Sequence, residues 1–281
     1  MLKLKHGIVE LYKKVATSIP PDVEEALKAA LDKEPGGEGK RILEGVISDI
    51  SRARKEKGPV CIDTGVPTFV IKAPSSIDRK KMREIILEAT REATKSIPLR
   101  PNAVDIITGE NSTDNTGRNF PVIYIEESEN NLLVVDLLFK GYECEELSRT
   151  YRLPDTTIGA ERDLDGVRKV VIDAVRKAEG RGCPPYSIGV GIGASRDQVV
   201  VLSTKQLFRR CYEKHPDPAI SRLEEETLSE LNSLGIGPMG KGGRTTAINV
   251  SIEYAHRHRD TYLVDVSISC WANRRGKLIW G

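Results

Sequence analysis

Arg181-Gly-Cys-Pro-Pro-Tyr-Ser-Ile-Gly-Val-Gly-Ile-Gly193 sets a cysteine, two prolines and a glycine-alternating apolar run in one short stretch. Proline fixes its own φ, offers no N–H and restricts the residue before it, so Cys183 is expected at a rigid turn. The apolar, partly β-branched residues that follow predict a strand. Gly189, Gly191 and Gly193 leave one face of that strand bare, so that something can approach its backbone closely. Cys183 is then either a buried cysteine at a strand start or a thiol presented at a site.

The neighbouring segments frame this strand. Val167, Val170, Val171, Ala174 and Val175 predict a helix over about 164–179. Helices are expected after it over about 195–212 and 221–234. Gly235 to Gly243 forms a glycine-rich loop, and alternating apolar residues predict strands over 246–253 and 261–269. Further upstream, 131–140 is apolar on both faces apart from Asp136, as a central strand would be. It is expected to form a hairpin with 122–126. A polar loop rich in Asn, Asp and Gly spans 100–119. It follows a helix over about 79–94 and an apolar strand after Cys61-Ile-Asp-Thr-Gly65. The first third reads as largely helical, with helices from Ser18 and over about 40–55. The expected fold is α+β in one domain over 1–281, a helical part over about 1–58 packing on a mixed part over about 59–281.

Composition narrows the function. The chain has 281 residues, 39% hydrophobic and 30% charged, enough apolar material for a sizeable core. A net charge of +2, with the two signs interspersed, gives no electrostatic case for nucleic acid or an acidic membrane. No apolar run approaches the roughly 20 residues of a membrane span. Met1 to His6 carries no signal-peptide hydrophobic region, so a cytoplasmic location is expected. Five widely spaced cysteines do not read as a secreted disulfide framework. In a reducing compartment such thiols are core residues, metal ligands or nucleophiles.

Cys61, Cys183 and Cys270 share a setting, each at a strand boundary beside small or turn-forming residues. Their wide separation matches no local zinc or ferredoxin signature, so spacing leaves a metal site and a buried thiol both open. Cys144 lies between glutamates, which disfavour a thiolate, and Cys211 reads as inert. The 235–243 loop lacks the G-K-[ST] ending of a phosphate-binding P-loop, so a structural or substrate-gating loop is expected. His258 reads either as a satisfied structural histidine or as a proton-transfer group.

Five pieces taken in order resemble one family. They are Cys-x-Asp-Thr-Gly at Cys61 to Gly65, Arg-Pro-Asn-Ala-Val at Arg100 to Val104, and Cys-Pro-Pro with Gly-Val-Gly-Ile-Gly at Cys183 to Gly193. Leu-Gly-Ile-Gly-Pro-Met-Gly-x-Gly-Gly at Leu234 to Gly243 and Cys-Trp-Ala-x-Arg-Arg at Cys270 to Arg275 complete the set. Nearly the whole chain from about residue 20 thus resembles the α subunit of class I fumarase and L-tartrate dehydratase, the iron–sulfur hydro-lyases.

The resemblance implies a 4Fe–4S cluster held by Cys61, Cys183 and Cys270. It implies that Arg100 pairs with a substrate carboxylate, and that Asp63 and His258 are proton-transfer partners. The implied substrate is a small hydroxy dicarboxylic acid. The implied partner is a separate β-type subunit in an α2β2 assembly built through an α–α dimer. Two positions depart from the family pattern. Ile62 stands where the family has Gln, and Lys140-Gly-Tyr-Glu-Cys-Glu-Glu146 replaces a Lys-Gly-x-Gly-Ser-x-Asn segment. Glu143 would repel a dicarboxylate if it faced the substrate. Which hydroxy acid is used is therefore left open.

Overall fold

The computed structural model describes residues 2–280, and its helices and mixed sheets make an α+β protein. The chain forms two compact units with interleaved segments. One takes the residues up to Pro20, then Asp49–Tyr142, then the segment from Arg274 on. The other takes Pro21–Ser48 and Glu143–Asn273. Among the described residues no helix is long and apolar enough to cross a membrane.

The first unit is built on strands β1 (Val66–Ala73), β2 (Val122–Glu127), β3 (Leu133–Lys140) and β8 (Arg274–Trp280). Their order is β2-β1-β3-β8. Helices α1 (Leu2–Thr17) and α4 (Arg79–Ser96) pack against each other, and α1 also packs on β3 and β8. Asp78 caps α4, its carboxylate accepting from the Lys80 and Lys81 N–H groups. Tyr12 is fully buried against Phe69 and Phe139, with ring centroids 5.6 and 5.7 Å away. Its hydroxyl finds Thr90 Oγ1 at 2.8 Å, as a buried phenol requires.

β3 is central, as its two apolar faces predict. The expected hairpin between 122–126 and 131–140 does not form. β1 lies between the two strands, parallel to β2 and antiparallel to β3. Local turn signals report only that two strands follow each other closely. They do not report that a strand buried on both faces, such as β1, needs a partner along each edge. β8 has no clear strand signal in the sequence. It opens Arg-Arg-Gly-Lys, and Lys277 and Ile279 point outward, so its inward face carries little apolar signal.

The second unit carries β4 (Arg149–Arg152), β5 (Tyr186–Gly193), β6 (Ala247–Tyr254) and β7 (Leu263–Ser269) in the order β4-β7-β5-β6. Helices α6 (Leu164–Ala178), α7 (Arg196–Gln206) and α8 (Pro218–Ser233) cover this sheet, and α2 (Pro21–Lys33), α3 (Gly37–Glu56) and α5 (Tyr142–Leu147) are the other α-helices of the described residues. Val167, Val170, Val171, Ala174 and Val175 are all fully buried, as their helical spacing predicts. α7 ends at Gln206, short of the expected Tyr212.

The bare face of β5 is occupied by this helix. A Cβ on Gly189 would lie 2.1 Å from the Ser203 carbonyl oxygen, and one on Gly191 2.2 Å from that of Val199. The alternating glycines let α7 seat its backbone against the strand, and that face is closed to a ligand.

Candidate active site and metal centre

The candidate site residues of the first unit gather at one end of its sheet. β1 begins there, and β3 ends there, since Val66 pairs with Lys140. β8 begins there too, since Arg274 pairs with Phe139. The Cys61–Gly65 turn leads into β1 at this end. Asp63 holds the turn shut, one carboxylate oxygen accepting from Gly65 N at 2.9 Å. The other accepts from Tyr142 N at 3.0 Å, so the turn is tied to the chain just past β3. Arg274 donates to the Asp63 carbonyl at 2.8 Å. Cys61 is partly exposed, and Ile62 beside it is 86% exposed.

The Arg100 loop is laced to that turn. Thr64 Oγ1 accepts from Arg100 N at 3.1 Å, and Asn102 Nδ2 donates to the Gly65 carbonyl at 3.0 Å. Asn115, buried, accepts from Asn102 N at 2.7 Å through its side-chain oxygen and donates to the Arg100 carbonyl at 3.0 Å. The backbone of Arg100 is thus fixed by side chains from two directions, while its own side chain is exposed. Further along, the N–H groups of Thr108 and Ile107 hold the Asp105 carboxyl below its ordinary range. The long polar loop is an ordered one.

In the second unit, Cys183 and Cys270 come together. β5 and β7 run antiparallel with Ser187 opposite Ser269, so the residues before β5 and after β7 share one end of the sheet. One backbone hydrogen bond joins the two turns: Trp271 N, next after Cys270, donates to the Cys183 carbonyl at 3.0 Å. Cys183 has φ +55, a left-handed conformation that costs a non-glycine residue of order 1–3 kcal/mol. Glu143 and Tyr186 brace the two residues before it. Glu143 accepts from Gly182 N at 3.0 Å, and the Tyr186 hydroxyl donates to the Arg181 carbonyl. Burial, then the neighbouring Cys144 and Cys183 sulfurs, pushes the Tyr186 phenol well above its ordinary range, so it stays a donor. The glycine-rich loop buttresses this turn. Met239 N donates to the Pro184 carbonyl at 2.9 Å, and a Cβ on Gly240 would lie 2.9 Å from Gly180 Cα.

His258 lies elsewhere. It sits in the exposed connection between β6 and β7, where its Nδ1 accepts from Asp260 N at 3.1 Å. The whole of β7 separates it from Cys270, about 23 Å at roughly 3.3 Å per residue. Within one chain His258 and the two cysteines therefore occupy opposite ends of the same sheet. A cavity of about 440 Å³ opens at the His258 end, with Asp217, Tyr254, His256 and Arg257 among its lining.

Three contributors carry no distinct signal in the sequence. Asn115 was one polar residue among many in its loop. Glu143, whose charge alone suggests repulsion of a dicarboxylate, has its carboxylate engaged by the Gly182 N–H. Arg274 showed only as part of the last motif.

The donor set suits a centre held by cysteine. Cys61, Cys183 and Cys270 are partly exposed, whereas Cys144 and Cys211 are buried. Arg274 is 1% exposed, and its Nε and Nη1 have no hydrogen-bond partner. A buried cation with orphaned donors beside the Cys61 turn is what an anionic group there would satisfy. Among the described residues, no three or more His, Cys, Asp or Glu side chains are gathered so as to hold a metal ion. A cubane differs from a single ion in that each thiolate meets a different iron, so its ligands stand farther apart than one coordination sphere.

Known proteins resemble the chain over almost its full length. A protein of Geobacillus stearothermophilus, provisionally named a class I fumarate hydratase, is 40% identical over 98% of this chain and 54% of its own length. The chain therefore spans about half of that relative. A provisionally named L(+)-tartrate dehydratase subunit alpha of Methanocaldococcus jannaschii is 36% identical over 98% of this chain and 96% of its own. The L(+)-tartrate dehydratase subunit alpha of Escherichia coli K12 is 33% identical, over 99% and 90% respectively. The model of the fumarate hydratase (fumerase) family matches residues 5–279, and the chain belongs to that family.

Proposed function

We propose that this chain is the cluster-bearing α subunit of a hydro-lyase that reversibly removes water from a small hydroxy dicarboxylic acid, malate-like or tartrate-like. Residues 1–281 act as one functional domain. Cys61, Cys183 and Cys270 are the three thiolate ligands of a 4Fe–4S cluster. The observation that supports the reading is that the Cys183 and Cys270 turns adjoin at one end of the sheet, with Cys183 in a left-handed conformation. When bound, a cluster with one iron lacking a thiolate supplies a Lewis-acid position for a carboxylate and a hydroxyl oxygen.

The chain's own residues do the rest. Arg100, exposed on a backbone that does not give, binds a substrate carboxylate through two parallel N–H donors. Asp63 spends a lone pair of each oxygen on backbone N–H groups, so it positions the Cys61 turn while a remaining lone pair can accept a proton. His258 acts as a proton-transfer group from a second copy, because its own sheet holds it a strand's length from Cys183 and Cys270. This requires the α–α contact of an α2β2 assembly. The β-type subunit, implied by relatives named as alpha subunits, completes the site. Thiolate ligation needs a reducing compartment, which we take to be the cytoplasm.

A second reading keeps the cluster without turnover, for sensing or scaffolding. The exposed Ile62 in place of a hydrogen-bonding amide favours it. Anaerobically prepared chain is assayed with its β-type partner on malate, fumarate and tartrate. Turnover of any of them supports the hydro-lyase, and a loaded but inert complex supports the second reading. Mixing inactive His258→Asn and Cys270→Ser chains under conditions that exchange subunits should restore activity. No recovery would contradict the role of His258 in trans.

A further inference from the structure

Arg100 and Arg274 both stand at the active end of the first unit's sheet, and they differ in exposure. Arg100 is exposed, as a group that captures a ligand from solvent must be. Arg274 is 1% exposed and cannot. It opens β8, lies 5.8 Å from the ring centre of Phe139, and spends one N–H on the Asp63 carbonyl. Its Nε and Nη1 bond to nothing, and among the described residues no carboxylate pairs with it. A guanidinium cannot shed its proton, so the charge stays. Folding a charged, under-bonded group into the interior is unfavourable unless an anion meets it there. The peptide it holds belongs to the residue two places after Cys61.

Resting on the cluster reading above, we propose that Arg274 is the buried counter-cation of the anionic centre at the Cys61 turn, its free N–H groups donating to sulfur of that centre. It is a positioning and charge-balancing residue, distinct from the substrate-binding role given to Arg100. A positive charge and hydrogen bonds directed at sulfur favour the reduced, more negative state, so Arg274 raises the centre's potential. It also slows loss of the centre.

The test uses the full chain, reconstituted anaerobically, as wild type, Arg274→Met, Arg274→Gln and Arg274→Lys. The midpoint potential is read by redox titration followed by electron paramagnetic resonance, and cluster loss by absorbance in the presence of a chelator. Arg274→Met and Arg274→Gln should show a lower potential and several-fold faster loss, and Arg274→Lys should stay near wild type. Neutral variants with wild-type potential and loss rate would overturn this inference and leave the cluster reading standing. Failure of both neutral variants to fold as apoprotein would make Arg274 a scaffold residue and overturn it too. Wild-type chain that binds no cluster would overturn the proposed function and this inference together.

Discussion

The Cys61 turn and the Cys183 turn present the same kind of side chain by different means. Cys61 is set by side chains: Asp63, Thr64, Asn102 and Asn115 tie its turn to the neighbouring loop and to the end of β3. Cys183 is set mainly by backbone, through the Trp271 and Met239 N–H groups, on a strand whose glycines let a helix press against it. A turn built from side chains can be altered one hydrogen bond at a time. A turn built from backbone follows the sheet behind it, so it is sensitive to packing far from the cysteine.

The largest expected effect falls on the backbone-built side. Gly191→Ala places a methyl group where the Val199 carbonyl already lies, with a Cβ at 2.2 Å. It should destabilise by about 3 kcal/mol or more, read by denaturant unfolding. Unfolding like that of wild type would show that α7 can back away, and would break the contrast between the two turns.

A smaller effect sharpens the contrast from the other side. Asp63→Asn removes a charged acceptor of two N–H groups with no backbone substitute, and should cost about 2 kcal/mol with faster cluster loss. Glu143→Gln, which weakens one bond beside Cys183, should cost about 1 kcal/mol or less. The reverse order would mean that Cys183 depends on Glu143 more than on its backbone partners.

The smallest effect lies away from both turns. Burial pushes the Asp136 carboxyl above its ordinary range, against the pull of Lys277 at 3.6 Å. A carboxyl raised in the folded state favours folding below its unfolded value and loses that contribution as pH rises through the folded one. Asp136→Asn should therefore stabilise the fold slightly at pH 7, by about 1 kcal/mol or less, read as a small rise in melting temperature. The difference should fade below the ordinary carboxyl value of 3.8. A destabilised variant at pH 7 would show that the Lys277 pair outweighs the burial cost.

The same contrast separates what was legible in the sequence from what was not. Helical and strand periodicity revealed α6 and the apolar strands because each rests on its own residues. The position of β1 between β2 and β3 depends on pairing between distant segments. The strand β8 hides an inward face behind Arg-Arg-Gly-Lys. At the site, the cysteine turns and Arg100 were readable as motifs. Glu143, Asn115 and Arg274 acquire their roles only from partners 39, 13 and 211 residues away in the chain. The glycines of β5 were read correctly as permitting close approach, but the approaching group is α7. The distance from His258 to Cys270 follows from β7 running the full depth of the sheet, which sequence proximity conceals.

The central claim is that three distant thiols grip one iron–sulfur centre, and iron and acid-labile sulfide per chain after anaerobic reconstitution test it most directly. The account predicts a 4Fe–4S stoichiometry in wild type and in Cys144→Ser and Cys211→Ser chains. It predicts loss of that centre in each of Cys61→Ser, Cys183→Ser and Cys270→Ser. Iron and sulfide retained at wild-type levels in all three of those variants would contradict it.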